Sequence, residues 1–273
     1  MVIFPNAKIN IGLNILRKRK DGYHDIETLF YPIGMKDALE YVENGGNMVN
    51  FVNSGLKLDI DPEQNIVVKA YRILQETHVL PGLDIHLHKV IPSGAGLGGG
   101  SSDAAFFLKS LNDHFELNIA QGNLQSIAGR LGADCSFFFE NRPSYATGIG
   151  DKLETIDFAL KGYFLVVIKP PFGVETKSAY AGVVPAEYPF QFKQILNGPV
   201  HEWTSRIKND FETTLFVKFP ELNLLKRKLN DLGAVYTSMS GSGSSVYAIF
   251  EKEPDIDPKE FLPGSIFWSE ALT

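Results

Sequence analysis

Residues 92–105 read Pro92-Ser-Gly-Ala-Gly-Leu-Gly-Gly-Gly-Ser-Ser-Asp-Ala-Ala105, with five glycines within seven positions. Glycine lets a backbone turn sharply and lets its N–H groups converge on one centre. Such a nest at the positive end of a helix binds phosphate oxygens. The plainer alternative is a tight turn without a ligand, but one or two glycines suffice for that. The flanks suit a phosphate site. Residues 83–91 alternate as a strand, and Ala104 to Phe115 follows as a helix. Ser101, Ser102 and Asp103 are the residue types preferred at a helix N-cap.

Upstream, Ile9, Ile11, Leu13 and Ile15 alternate with Lys8, Asn10, Gly12 and Asn14. Period two predicts a half-buried strand with Lys8 and Asn10 together on its polar face. Asp21-Gly22 marks a turn and Ile26 to Ile33 a second strand. Helical spacing runs through residues 64–77, and another helix is expected from about Leu124 to Leu131, stopping near Gly132. Tyr163 to Ile168 reads as a buried strand ended by Pro170 and Pro171. The expected division is therefore 1–155 and 156–273. In the second part, Glu221 to Leu232 reads as an amphipathic helix closed by Gly233. Val235–Met239 and Val246–Phe250 read as strands joined by the Gly/Ser loop 240–245. There is no internal repeat.

The 273 residues are 44% hydrophobic and 21% charged, enough apolar material for a core without staples. A net charge of −6 argues against a general nucleic-acid binder. The single cysteine, Cys135, favours a reducing compartment. No run approaches the ~20 apolar residues of a membrane span, and the first residues lack a signal-peptide pattern. The expectation is a cytoplasmic protein with no membrane or nucleic-acid partner. Arg17-Lys18-Arg19-Lys20 reads as a solvated turn between strands, with a basic rim for an anionic substrate as the alternative. His86 and His88 share one strand face. No further ligand is arranged to complete a metal pair, so a solvated face is the reading and no protein-held metal is expected.

Three phosphate-binding classes compete for the glycine string. Gly94-x-Gly96-x-x-Gly99 formally matches the dinucleotide fingerprint. That reading wants an acidic residue on a following strand ~20 residues on, where this chain has Asn112-Asp-His-Phe-Glu116 and no strand-like run. A P-loop would need Lys-Ser or Lys-Thr after the glycines, and protein kinases would need His-Arg-Asp and Asp-Phe-Gly; all are absent. The full string 92–105 resembles the second motif of the GHMP kinases. Pro5-Asn-Ala-Lys-Ile-Asn-Ile-Gly-Leu13 resembles their first and Ser238-Met-Ser-Gly-Ser-Gly-Ser-Ser-Val-Tyr-Ala-Ile-Phe250 their third. Asp21-Gly-Tyr-His-Asp-Ile-Glu-Thr-Leu-Phe30, Glu63-Gln-Asn-Ile-Val-Val-Lys69 and Leu131-Gly-Ala-Asp-Cys-Ser-Phe137 resemble the diphosphocytidyl-methylerythritol kinase branch. Asn6, Ser93, Ala95 and Ser244-Ser245 depart from the usual pattern without removing a reactive group.

The resemblance implies an α+β, two-domain GHMP kinase fold. The N-terminal domain would be ribosomal S5 domain 2-like and the C-terminal one ferredoxin-like, with the active site in the interdomain cleft. It implies ATP and Mg²⁺ as cofactors, a cytidine diphosphate-linked polyol as acceptor, and a monomer or homodimer. Pro92, Ser93, Gly94, Ala95, Gly96, Leu97, Gly98, Gly99, Gly100, Ser101 and Ser102 would hold ATP, with Asn65 near the adenine. Asn65 also reads as a helix-start residue. Ser101 or Ser102 could reach a phosphate or the Mg²⁺. Asp134 lies among apolar neighbours, so its carboxylate wants a cation; the resemblance makes that cation Lys8. Asp134 would abstract the acceptor proton or orient the hydroxyl, an N-cap or structural ion pair being the alternative. The resemblance also assigns the acceptor to Asn10, Tyr23, His24, Thr176 and Tyr180. Tyr23 and Tyr180 would stack on cytosine and His24 would bond its edge. Three rivals remain: another GHMP kinase, of homoserine or mevalonate type, a nicotinamide-dependent oxidoreductase, and a non-catalytic binding module that keeps the fold.

Overall fold

The alternation at residues 8–16 does form a strand in the computed structural model, but both of its faces are buried. Lys8, Asn10 and Asn14 are as enclosed as Ile9, Ile11 and Ile15. The polar side chains therefore need protein partners instead of water. The structure describes residues 1–186 and 192–273.

In chain order the strands and helices begin with β1 (Val2–Ile3), β2 (Asn6–Lys18), β3 (His24–Lys36), β4 (Ala38–Glu43) and β5 (Val49–Gly55). Next come α1 (Ile66–Gln75), β6 (Leu83–Lys89), α2 (Gly99–His114), α3 (Gln121–Gly129) and α4 (Phe137–Glu140). They continue with β7 (Ser144–Thr147), β8 (Lys152–Thr155), β9 (Phe164–Lys169), α5 (Thr176–Tyr180) and α6 (Phe192–Leu196). The last are α7 (Phe211–Lys218), α8 (Pro220–Asp231), β10 (Tyr236–Met239), β11 (Val246–Phe250) and β12 (Ile266–Ala271).

By contact the chain forms two units, each gathered from separate segments. The first holds Met1–Lys8, Pro32–Ser93 and Gly98–Arg142; the second holds Ile9–Tyr31, Gly94–Leu97 and Pro143–Thr273. A single boundary near residue 155 follows chain order, whereas strand pairing collects remote segments.

In the first unit a sheet runs in the order β1-β4-β6-β5, with β5 and β6 parallel and the other pairs antiparallel. Along β6, Leu83, Ile85 and Leu87 are buried while Asp84, His86 and His88 are exposed. His86 and His88 do lie on the wet face, where Ser54 Oγ sits 2.7 and 2.9 Å from their ring nitrogens. The side chain of Asn65 caps α1 by accepting from Val67 N at 2.8 Å. Helix α2 begins at Gly99, five residues before Ala104, so Ser101, Ser102 and Asp103 lie inside it instead of capping it. The cap residue is Gly98, at φ +70°, a conformation glycine adopts without strain. Helix α3 ends at Gly129, short of the expected stop. Gly132 is extended at φ −178° and leads into a 3₁₀ turn, Ala133–Ser136.

In the second unit β10-β11-β9-β12 form an antiparallel sheet. Met239 pairs with Val246, which closes loop 240–245 as the hairpin turn. Val166, Ile168, Val246, Ala248 and Phe250 on this sheet pack with Leu222, Leu225 and Leu229 of α8 and with Phe211 and Leu215 of α7. Each of the Val, Ile, Leu and Phe side chains contributes about 1.5–3 kcal/mol on burial. A further sheet has the order β2-β3-β7-β8. The basic run is exposed, with Arg17 and Lys18 ending β2 and Arg19 and Lys20 leading into the turn; Arg17 pairs with Asp25, and Arg19 with Asp21 and Asp25.

Candidate active site

In the first unit, Lys8 Nζ lies 3.1 Å from Asp134 Oδ2. The lysine side chain is 3% exposed and the carboxylate 33% exposed. Asp134 sits in the 3₁₀ turn between α3 and α4, which Phe137, Phe138 and Phe139 anchor in the core. A buried ammonium thus holds a carboxylate that solvent, and hence a hydroxyl, can reach.

The end of the glycine string abuts this pair. A Cβ on Gly98 would lie 3.1 Å from Lys8 Cε and 3.0 Å from Phe138 Cζ, so a side chain there would press on both. From Gly98 the chain enters α2, whose first amides lack intrahelical acceptors. Ser102 Oγ is buried without a hydrogen-bond partner among the described residues. Ser101 hydrogen-bonds the Cys135 thiol, which burial pushes up to about 12, against the opposing effect of that bond.

Beneath the string lies a buried triad. Lys89 Nζ donates to Asp37 Oδ2 and, at 2.8 Å, to Asp103 Oδ2. Asp37 Oδ1 also accepts from Val90 N at 2.6 Å and Ile91 N at 2.8 Å. Lys89 Nζ stands 3.2 Å from where a Gly99 Cβ would be, so the triad supports the start of α2 directly. Burial works against the Lys89 charge, but the two carboxylates outweigh it and hold the ammonium above its ordinary range. Burial pushes Asp103 up to about 8; Lys89 opposes this and the Asp37 charge adds to it. The triad escaped the motif reading. Its one signal is that β6 alternation puts Lys89 on the apolar face with Leu83, Ile85 and Leu87.

Within the second unit, Gly94–Leu97 is bound to loop 240–245. Ser240 Oγ donates to Gly96 O at 2.7 Å, and Ser244 N and Ser245 N donate to Gly94 O and Ala95 O at 3.3 and 3.2 Å. A Cβ on Gly96 would lie 1.9 Å from Ser240 O. Ala95 and Leu97 are buried, whereas Ser93 and Gly94 are exposed. Asn209 Nδ2 secures the same loop through Met239 O and Gly241 O, both at 2.8 Å.

The residues expected at the acceptor all lie in the second unit. Asn10 is 2% exposed; its N–H donates to Ser240 Oγ at 3.1 Å and its carbonyl accepts from Tyr247 at 3.0 Å. Thr176 Oγ1 lies 3.1 Å from Ser242 Oγ. Tyr180 stacks on His24, with centroids 4.8 Å apart and planes 18° apart, while Tyr23 is 61% exposed. Phe211 meets Tyr180 edge-on at 4.8 Å and steadies it. Burial, with the Lys18 charge adding, lowers the His24 pKa. Asn65 performs the cap role that its position also suggested.

Among the described residues no helix is long and apolar enough to cross a membrane. The GHMP kinases N terminal domain family matches residues 65–140, and the GHMP kinases C terminal family matches residues 197–258. The chain is 47% identical over 272 residues to the 4-diphosphocytidyl-2-C-methyl-D-erythritol kinase of Bacteroides fragilis, covering 99% of each. It is 46% identical over the whole length of both chains to the enzyme of that name from Parabacteroides distasonis. A crystal structure of 4-(cytidine 5'-diphospho)-2C-methyl-D-erythritol kinase aligns with a TM-score of 0.77 at 31% identity, covering 91% of this chain and 90% of the other. With this identity running from end to end, the chain belongs to the 4-diphosphocytidyl-2-C-methyl-D-erythritol kinase family of the GHMP kinases.

Proposed function

We propose that the protein transfers the γ-phosphoryl group of ATP to the 2-hydroxyl of 4-diphosphocytidyl-2-C-methyl-D-erythritol, in the non-mevalonate route to isoprenoid precursors. The observation that carries the chemistry is the Lys8–Asp134 pair at 3.1 Å, with the glycine loop against the Lys8 stem. Full-length similarity to kinases of that name supports the acceptor.

Phosphoryl transfer asks the protein mainly for positioning and for stabilisation of shifting charge. Asp134 accepts the hydroxyl proton or its hydrogen bond, aiming the oxygen at the γ-phosphorus. Lys8 holds Asp134 in place and steadies negative charge as it develops on that oxygen. Loop amides and the start of α2 take the ATP phosphates, and Asn65 lies on the adenine side. Mg²⁺ would be held by phosphate oxygens with Ser101 or Ser102. The unpartnered Ser102 Oγ fits such a role, and magnesium needs only one or two protein oxygens. When bound, the ion neutralises phosphate charge. Tyr23, His24, Thr176 and Tyr180 bind the cytidine diphosphate end, and Asn10 the polyol.

The test is incubation with Mg-ATP and the cytidyl substrate, followed by detection of ADP and the monophosphorylated product. Turnover of homoserine or mevalonate with an inert cytidyl substrate would overturn the acceptor assignment.

A further inference from the structure

We infer that Thr28 is a positioning residue for the acceptor, because it dictates which way the Asn10 side-chain amide faces. The inference rests on the proposed role of Asn10 and adds the group that orients it. Thr28 lies on β3 and is fully buried. Its hydroxyl carries one proton, which it donates to Gly12 O. The oxygen is then left only to accept, and Asn10 Nδ2 donates to it at 3.1 Å. A flipped amide would set two acceptor oxygens against each other in a buried site, an arrangement with no compensating solvent.

With Nδ2 so committed, Asn10 Oδ1 faces loop 240–245. A Cβ on Gly241 would lie 3.1 Å from Asn10 Oδ1, a tight contact, and Gly241 has φ +55°, a conformation that favours glycine. The Asn10 backbone is held as well, by Ser240 Oγ and by the Tyr247 hydroxyl. Gly12, the acceptor for Thr28, is itself left-handed at φ +63°, and Ile207 and Phe192 leave no room for a side chain. A chain of donors thus runs from Asn10 through Thr28 to Gly12 and leaves the amide one orientation.

The test measures KM for ATP and for the cytidyl acceptor separately, with Tm as a check on folding. T28V keeps the shape and replaces the hydroxyl with a methyl; T28A removes both the hydroxyl and the methyl; T28S keeps the hydroxyl. T28V and T28A are expected to raise the acceptor KM roughly three- to tenfold, the worth of one neutral hydrogen bond, with the ATP KM within about twofold. T28S is expected to restore the acceptor KM. Wild-type acceptor KM in both T28V and T28A, alongside a raised one in N10A, would overturn the inference and leave the proposed function standing. Equal rises in both KM values with a lowered Tm would reduce Thr28 to a structural role and also overturn it. An unchanged acceptor KM in N10A would instead remove Asn10 from the acceptor site, and this inference with it.

Discussion

Lys8 and Asp134 form an ion pair of unequal exposure: the ammonium is buried and the carboxylate is one-third open to solvent. The carboxylate is thus the accessible member of the pair. Asp134→Asn preserves shape and removes the base. A lowering of kcat by about 10²–10⁴-fold is expected, with both KM values little changed. Release of ADP by the purified variant checks this, and turnover near the wild-type rate would remove Asp134 from the chemistry.

Three glycines in the string differ in what surrounds them, and their alanine variants should differ in order. All are left-handed, at φ +61° for Gly94, +73° for Gly96 and +70° for Gly98, which costs an L-residue about 1–2 kcal/mol. Gly94 has open space beside it, Gly98 meets Lys8 and Phe138 at 3.0–3.2 Å, and Gly96 would meet backbone at 1.9 Å. Thermal melting is expected to rank G94A above G98A and G98A above G96A, with G98A also raising the ATP KM. A larger loss for G94A than for G96A would contradict this account of the loop.

Asp103 couples stability to pH. Its carboxyl has an ordinary value of 3.8 when unfolded and titrates at about 8 when folded, chiefly through burial. The folded chain therefore holds an extra proton between those values. This group's contribution is whole below about pH 4 and is lost as pH rises through about 8. Asp103→Asn cannot titrate. The Tm of the wild type relative to D103N should fall between about pH 5 and about pH 8.5, and a parallel pair of Tm curves would refute the protonation.

Tyr23 is exposed and Tyr180 is already stacked on His24. Tyr23→Ala should leave Tm unchanged and raise the acceptor KM about five- to a hundredfold, since base–aromatic stacking is worth ~1–3 kcal/mol. The measurement is steady-state kinetics at saturating ATP. A wild-type acceptor KM would place the cytosine elsewhere.

Several elements were legible because their signals are local. The alternation of β6, the apolar run of β9, the amphipathic α8 and the β10–β11 hairpin stand where period and turn residues put them. The start of α2 was misread because Ser101, Ser102 and Asp103 look like caps, whereas left-handed Gly98 ends the loop three residues earlier. Strands β7 and β8 are four residues each, too short for a period to declare itself.

The order of residues along the chain was enough to determine the glycine-rich loop and the family, because motif strings and glycine spacing are contiguous, and the family resemblance, not spacing, named Lys8 as the partner of Asp134. Folding alone decided that β2 is buried on both faces, that Lys89 reaches Asp37 across 52 positions, and that Ser240 grips Gly96 across 144. The reason is physical: a polar side chain's partner depends on which remote backbone packing brings within about 3 Å, and no local pattern carries that information.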